Sequence, residues 1–554
     1  MGRASTPSEN DMLLALFCCL TIQEPAQEPE PEPEPELGAA DVQTAGGLIG
    51  LDFTDDEAQM MLRDVRRKLA SLRSIRAVPL DNSVPPALGF TPLLPGIEPR
   101  LGAIEARELV LPEVERPDDL EQLAFAGIPE LASLIRARKV SCVELARMYL
   151  ARLKRLDQKL LCVISLTEER ALEQAALLDE ELAAGHWRGP LHGIPYGAKD
   201  LFAVRGYRTT WGARPYQEQV LECDATVIER LDAAGAVLIA KLSLGALAMG
   251  DVWFGGTTRN PWEPERGSSG SSAGSACATA AGCVAFALGS ETLGSIVSPS
   301  ERCGTSSLRP TFGRVPRSGA MALSWSMDKI GPLCRSVADA ALVFDAIRGP
   351  DGKDPSAVAM PFTLPVGYRP AGTKVGFSLE AFERSERHQP VLEQLEQLGC
   401  ELVPVELPDF PARSLLIILD AEAAAAFDEL TRSGRDDLLV RQEAGAWPNS
   451  FRAARLIPAV EYINANRLRT LLCREMHAAL SEVDLYVHPS FGDGSLTITN
   501  LTGHPVVVAP AGFSDDGTPF GVSFTGQLYD EARLLAVATA WQEATGFHRR
   551  HPDL

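Results

Sequence analysis

The sequence predicts an α/β protein with a large mixed, largely parallel β-sheet flanked by helices on both faces, and three observations predict it. Helical and extended patterns alternate through the middle of the chain, the arrangement that layers helices over a sheet. Short, fully apolar runs at 237–240 (Val-Leu-Ile-Ala) and 505–510 (Pro-Val-Val-Val-Ala-Pro) have the length and character of buried strands. Residues 128–135 and 142–156 carry apolar side chains at the 3.6-residue period and predict helices packed on the core. At 554 residues with 45% hydrophobic content, the chain can bury a substantial core as one oversized unit with an N-terminal appendage.

The elements follow in order. Residues 12–22 form an eleven-residue apolar run, too short to span a bilayer but long enough for the core of an export signal. Arg3 is the one positive charge ahead of it, and Glu9 and Asp11 stand where such a signal carries basic residues; translation from Met12 would remove both acids. Residues 1–22 therefore read as a leader. Residues 23–45 are an acidic, Pro-alternating linker that extends stiffly and cannot pack a core. The favoured expectation is an exported enzyme, periplasmic or extracellular, held off a surface, ahead of a cytoplasmic one; lipid attachment through Cys18 or Cys19 is a further option. Residues 46–118 form an arm. In it, Thr54 and Glu57 make a capping-box signature that opens a helix to about Ser74, and the Pro-rich stretch 78–117 wraps the main unit, 119–554.

Composition excludes several classes. The net charge is −22, and residues 1–37, with eight acids and one arginine, account for −7 of it, leaving −15 elsewhere. No basic stripe remains to bind a phosphate backbone, so nucleic acid is not an expected partner. Nor is a membrane span. The eleven cysteines include no C-x-x-C pair and read mainly as small buried residues, without a metal site or disulfide framework.

Chemistry concentrates at 266–296, where seven serines surround backbone-permissive glycines on either side of an apolar run. Glycines let a loop bring main-chain N–H groups close to a ligand, so the segment reads as an anion cradle with nucleophiles attached. About 70 residues upstream, Lys199 sits in the Gly/Pro-framed segment 193–200. Taken singly, a Gly/Ser run is more often a linker and a lysine more often a solvated charge. Together they fit one chemistry. A serine hydroxyl needs a base, and no histidine here has a motif that would complete a Ser-His-Asp group. A lysine can serve if burial lowers its pKa.

With Lys199, Ser271 and Ser295 in that order, 72 and then 24 residues apart, the chain resembles the amidase signature family. The resemblance runs from about Leu120 to His551 and rests on 190–200, 224–241, 259–262, the Ser-rich loop, 313–316, 327–332 and 500–506. It implies the amidase signature fold for 119–554, amide hydrolysis through a serine acyl-enzyme, no cofactor and no metal. By motif position, Ser295 would be the nucleophile, Ser271 a proton-relaying serine after a cis peptide bond, and Lys199 the base. The backbone N–H groups of Thr292, Leu293, Gly294 and Ser295 would form the oxyanion hole.

Three residues depart from the pattern common in the family. Glu291 stands for Asp, Leu293 for Gly and Val297 for Arg. Backbone donors do not depend on side-chain identity, so hydrolysis survives, whereas a charge beside the nucleophile is lost. Two decoys share the region. Residues 270–274 fit G-x-S-x-G and would nominate Ser272 with His488 or His504, but 261–266 is charged, Pro-broken and not expected to be the buried strand that such an elbow needs. Residues 326–329 match S-x-x-K, without S-D-N or K-T-G elsewhere.

The resulting expectation is an amidase acting on a small-molecule amide, with neutral substrates favoured by the loss of the arginine. The segment 365–457 resembles the family least and is expected to wall the pocket. The alternative is the glutamine-cleaving component of a tRNA-dependent amidotransferase, working in a complex; a non-catalytic binding protein is the third reading. A homodimer is left open.

Overall fold

The computed structural model describes residue 2 and residues 37–48, 51–78, 89–102 and 104–554. The apolar run at 12–22, Cys18, Cys19 and the Glu/Pro alternation lie outside the described residues. Among the described residues, no helix is long and apolar enough to cross a membrane.

Among the described residues, two helices precede the main unit, α1 (Ala39–Leu48) and α2 (Asp55–Ala77). The end of the segment 23–45 is thus helical from Ala39 on, and Gly38 N–H donates to Asp41 Oδ2 at 2.9 Å. Helix α2 has the expected capping box, with Thr54 accepting from Glu57 N–H and Glu57 from Thr54 N–H. Val42 packs with Ala58, Met61 and Leu62, so the two helices share a small core. Beyond them the chain wraps the main unit: Gly102 N–H donates to Asp530 Oδ1 at 2.9 Å and Arg116 pairs with Glu144 at 2.9 Å. Helices α3 (Ile128–Arg136) and α4 (Cys142–Leu160) stand where apolar periodicity places them, and each buries one face.

Among the described residues, one eleven-stranded sheet organises the rest. Its strands are β1 (Val163–Leu166), β2 (Pro195–Lys199), β3 (Val237–Leu242), β4 (Phe286–Glu291), β5 (Ser306–Arg309), β6 (Lys329–Cys334), β7 (Lys374–Phe377), β8 (Glu401–Pro404), β9 (Leu485–Pro489), β10 (Val506–Phe513) and β11 (Pro519–Gly526). Their spatial order is β1-β3-β2-β4-β6-β5-β10-β11-β9-β7-β8. The sheet is mixed, as expected, but not largely parallel. Parallel pairing is confined to β2 with β3 and β4, and to β7 with β8 and β9. The remaining pairs are antiparallel. The reason is local: the turn at 514–518 is short enough to fold β10 directly back on β11, whereas parallel neighbours need a crossover. Strands β3 and β10, read from their apolar runs, are buried along nearly their whole length.

Helices α5 (Ala273–Ala280) and α6 (Val297–Cys303) follow the two halves of the Ser-rich region, and α7 (Val337–Ile347) follows β6. The segment 261–266 departs from expectation. Glu263–Gly267 is a strand, half exposed, in a two-stranded ribbon with Arg259–Asn260. A ribbon outside the main sheet tolerates Pro264, which a central strand would not. All described cysteines are free; Cys223 is exposed and the others are buried.

Candidate active site

Strand β2 ends on Lys199, and its close approach to β3 depends on Gly197, where a Cβ would lie 2.3 Å from Leu242 Cδ1. Lys199 is thereby carried into the interior and has no exposed surface. Its Nζ lies 2.8 Å from Ser271 Oγ, 3.2 Å from Ser272 Oγ, 3.0 Å from Ser290 Oγ and 3.2 Å from the Ser290 carbonyl. Burial lowers the Lys199 pKa to about 7, although Asp328 and Glu291 pull it up. The amine is thus surrounded by hydroxyls in a setting that disfavours its charge.

Ser271 follows a cis peptide bond from Gly270. A Cβ on Gly270 would lie 1.9 Å from the Gly250 carbonyl oxygen, so only glycine lets this loop press against that segment. Ser295 follows a turn at Gly294, with φ of 81°. Its carbonyl accepts from Ser272 N–H at 3.0 Å, which ties the two serine loops together through the backbone. The structure therefore brings Lys199 and Ser271 into direct contact and places Ser295 beside them. It shows no hydrogen bond from Ser295 Oγ to Ser271 Oγ. Thr292, Leu293, Gly294 and Ser295 occupy the loop between β4 and α6, and their N–H groups donate to no protein acceptor among the described residues.

Glu291 holds this loop. Its Oε2 accepts from Ile296 N–H at 2.8 Å and from Val297 N–H at 2.9 Å, while Oε1 accepts from Arg309 at 2.6 Å and from Asn500 at 2.8 Å. Burial raises the carboxyl, but Arg309, Lys329 and the Val297 N–H outweigh it and hold Glu291 at about 2. The Val297 side chain packs with Val506, Val508 and Leu496. A guanidinium nevertheless stands near the loop, supplied by Arg309 on β5.

Ser272 is no free elbow nucleophile. Its hydroxyl donates to the Ser290 carbonyl at 3.1 Å and accepts from Ser290 N–H at 3.2 Å. His488 is bonded to Thr525 and Ser495, and His504 to Thr502, so neither reaches it. Ser326 of the S-x-x-K match is bonded to Glu422 and Arg469 rather than to Lys329.

A cavity of about 430 Å³ opens beside Ser290 and Thr292. Phe90, Phe312, Met321, Trp325 and Ile330 give it an apolar wall, and Arg317 and Asp354, paired at 2.9 Å, form a polar corner. The segment 365–457 contributes no wall to this cavity. Its Glu422 instead braces the turn behind it, accepting from Ser324 Oγ at 2.6 Å and Ser326 Oγ at 2.8 Å. Most of the wall comes instead from 317–330, the chain leading into β6, and from 354–356 beyond α7, with Phe90 and Phe312 beside them.

Sequence reasoning missed the bracing groups Ser290, Arg309, Asp328, Glu422 and Asn500. Asn500 and Asp328 lay inside segments that carried the family resemblance, and that was the available signal; Arg309 and Glu422 had none.

Similarity to known proteins extends over most of the chain. A family profile described as Amidase matches residues 144–498. The A subunit of glutamyl-tRNA(Gln) amidotransferase from Heliobacterium modesticaldum is 34% identical over 477 residues, covering 77% of this chain and 98% of the relative. Its counterpart from Coxiella burnetii is 32% identical over 479 residues, covering 77% and 99%. Among solved structures, native peptide amidase from Stenotrophomonas maltophilia superimposes with a TM-score of 0.70 at 30% identity, covering 78% of this chain and 99% of that one.

Proposed function

Because this chain belongs to the amidase signature family, whose members hydrolyse carbon–nitrogen bonds, we propose that it is a serine amidohydrolase for neutral small-molecule amides, working through an acyl-enzyme on Ser295. The observation that carries this reading is the 2.8 Å contact between a fully buried Lys199 and Ser271. In the reactive form Lys199 is an uncharged amine. As Ser295 Oγ attacks the amide carbonyl, Ser271 takes the Ser295 proton and passes its own to Lys199. The tetrahedral oxyanion is stabilised by the N–H groups of 292–295, preorganised donors that need no rearrangement. The proton returns through Ser271 to the leaving nitrogen, the amine departs, and water enters by the reverse relay to release the acid.

Neutral substrates are favoured because the cavity wall is mostly apolar and its guanidinium, Arg317, is already paired with Asp354. Stripping water from an unpaired substrate charge would cost several kcal/mol. The test is covalent labelling by a fluorophosphonate probe, followed by turnover of aryl, alkyl and peptide amides. Absence of labelling would remove the acyl-enzyme and favour a binding protein.

A second reading is supported by the sequence relatives, which are amidotransferase A subunits. On it the chain would release ammonia from glutamine within a complex. A glutaminase activity that appears only when partner subunits are added would support it over the stand-alone amidase.

A further inference from the structure

A second lysine lies buried at the other side of the reactive loop. Lys329, the first residue of β6, is in register opposite Glu291 on β4, is only 2% exposed, and lines the 430 Å³ cavity with Ser290 and Thr292. Its Nζ has no hydrogen-bond partner among the described residues. That is unusual for a group with several donors, since a buried polar group without a partner costs stability.

The neighbouring carboxylates are committed elsewhere. Both oxygens of Glu291 are engaged, by Arg309 and Asn500 on one side and by Ile296 and Val297 N–H on the other. Asp328 accepts from Thr292 Oγ1, Leu323 N–H and Ser324 N–H. Burial and then the Arg309 charge push the Lys329 ammonium well below its ordinary range, against the pull of Glu291 and Asp328. The side chain therefore keeps N–H donors that no protein group among the described residues takes up.

We propose that Lys329 is a specificity residue, donating a hydrogen bond to an uncharged acceptor oxygen, a ketone, ether or hydroxyl, carried on the acyl part of the substrate. The inference rests on the amidohydrolase reading and names its substrate class more closely. The Asp328–Thr292 hydrogen bond joins the strand that carries Lys329 to the loop that carries Ser295, so an acceptor held by the amine fixes the acyl chain relative to the nucleophile. A buried site made to hydrogen-bond discriminates against an analogue lacking the partner far more than an apolar wall discriminates by one methylene. A carboxylate fits less well, because it would have to be desolvated in a cavity whose guanidinium, Arg317, is already paired with Asp354.

The experiment compares p-nitroanilides of straight-chain fatty acids with those of the same acids bearing one ketone along the chain, on wild type and Lys329→Met. Wild type should prefer one ketone position, and Lys329→Met should lower kcat/KM for that anilide at least about thirtyfold more than for its hydrocarbon analogue. Lys329→Gln, which keeps a donor, should recover part of the difference and covers the case in which the methionine variant does not fold. Equal losses on both anilides, no ketone preference in wild type, or a preference for a terminal carboxylate that Lys329→Met removes, would each overturn the proposal. Fluorophosphonate labelling of wild type and of both variants separates the two levels. If wild type is not labelled, the hydrolase reading has failed; if all three are labelled while the ketone preference is unaffected, only the role of Lys329 has.

Discussion

Glu291 and Arg309 face each other at 2.6 Å with neither side chain exposed, and the same carboxylate holds the N–H groups of Ile296 and Val297. The pair is thus a mechanical link between the sheet and the turn that presents Ser295. Removing one member strands a buried charge, which is costlier than losing the pair as a whole. Arg309→Met should lower stability by about 3–5 kcal/mol. Glu291→Gln should reduce kcat more than it raises KM, because it loosens the loop without touching the cavity. Thermal unfolding and steady-state kinetics check both, and an unchanged kcat in Glu291→Gln would show that the loop holds its shape without the carboxylate.

The serine and lysine roles separate by mutation. Ser295→Ala should abolish turnover and fluorophosphonate labelling. Ser271→Ala and Lys199→Ala should fold and lose roughly 10²–10⁴-fold or more in kcat through lost proton transfer. Ser272→Ala should cost less than Ser271→Ala, since its hydroxyl chiefly holds Ser290. An active Ser295→Ala beside a dead Ser272→Ala would reverse the assignment.

Activity should rise with pH along one ionisation near 7, where burial places Lys199, because the base must be uncharged. The sign for stability is the opposite of a paired lysine. Folding disfavours the charged form, so the cost is fully present below about 7 and fades as pH climbs toward the ordinary lysine value of 10.5. Lys199→Met should therefore unfold at a higher temperature than wild type at about pH 6, with the difference shrinking in alkaline buffer. A pH-independent rate between these limits would remove Lys199 as the base.

On a substrate panel, kcat/KM for neutral aryl or alkyl amides should exceed that for glutamine by well over an order of magnitude, since the cost of desolvating an unpaired zwitterion outweighs the gain from any single methylene. Comparable efficiencies would mean that a nitrogen donor of the cavity, on Arg317 or Lys329, takes the carboxylate. Glutamine turnover that requires added partner subunits would favour the amidotransferase reading.

The sequence by itself determined the α/β class, the capping box at Thr54, strands β3 and β10, and the family to which the chain belongs. Each rests on local information: a 3.6-residue or fully apolar run fixes an element, and a Gly/Ser loop in fixed order with one lysine marks a chemistry. Tertiary structure alone decided the rest. The balance of parallel and antiparallel pairs depends on which strands meet, and the apolar runs of β3 and β10 look alike although one lies between an antiparallel and a parallel neighbour and the other between two antiparallel ones. The exposed ribbon at 263–267 forms because its partner at 259–260 is one tight turn away, which pattern-reading of a charged, proline-bearing segment does not show. Arg309 is bound to Glu291 and Lys329 is left without a partner although both stand near the same carboxylate, and no spacing in the chain distinguishes them. A side chain's charge state and partner are set by which groups share its volume and how much water they exclude, and that volume is shared by residues from 199 to 500 only once the chain has folded.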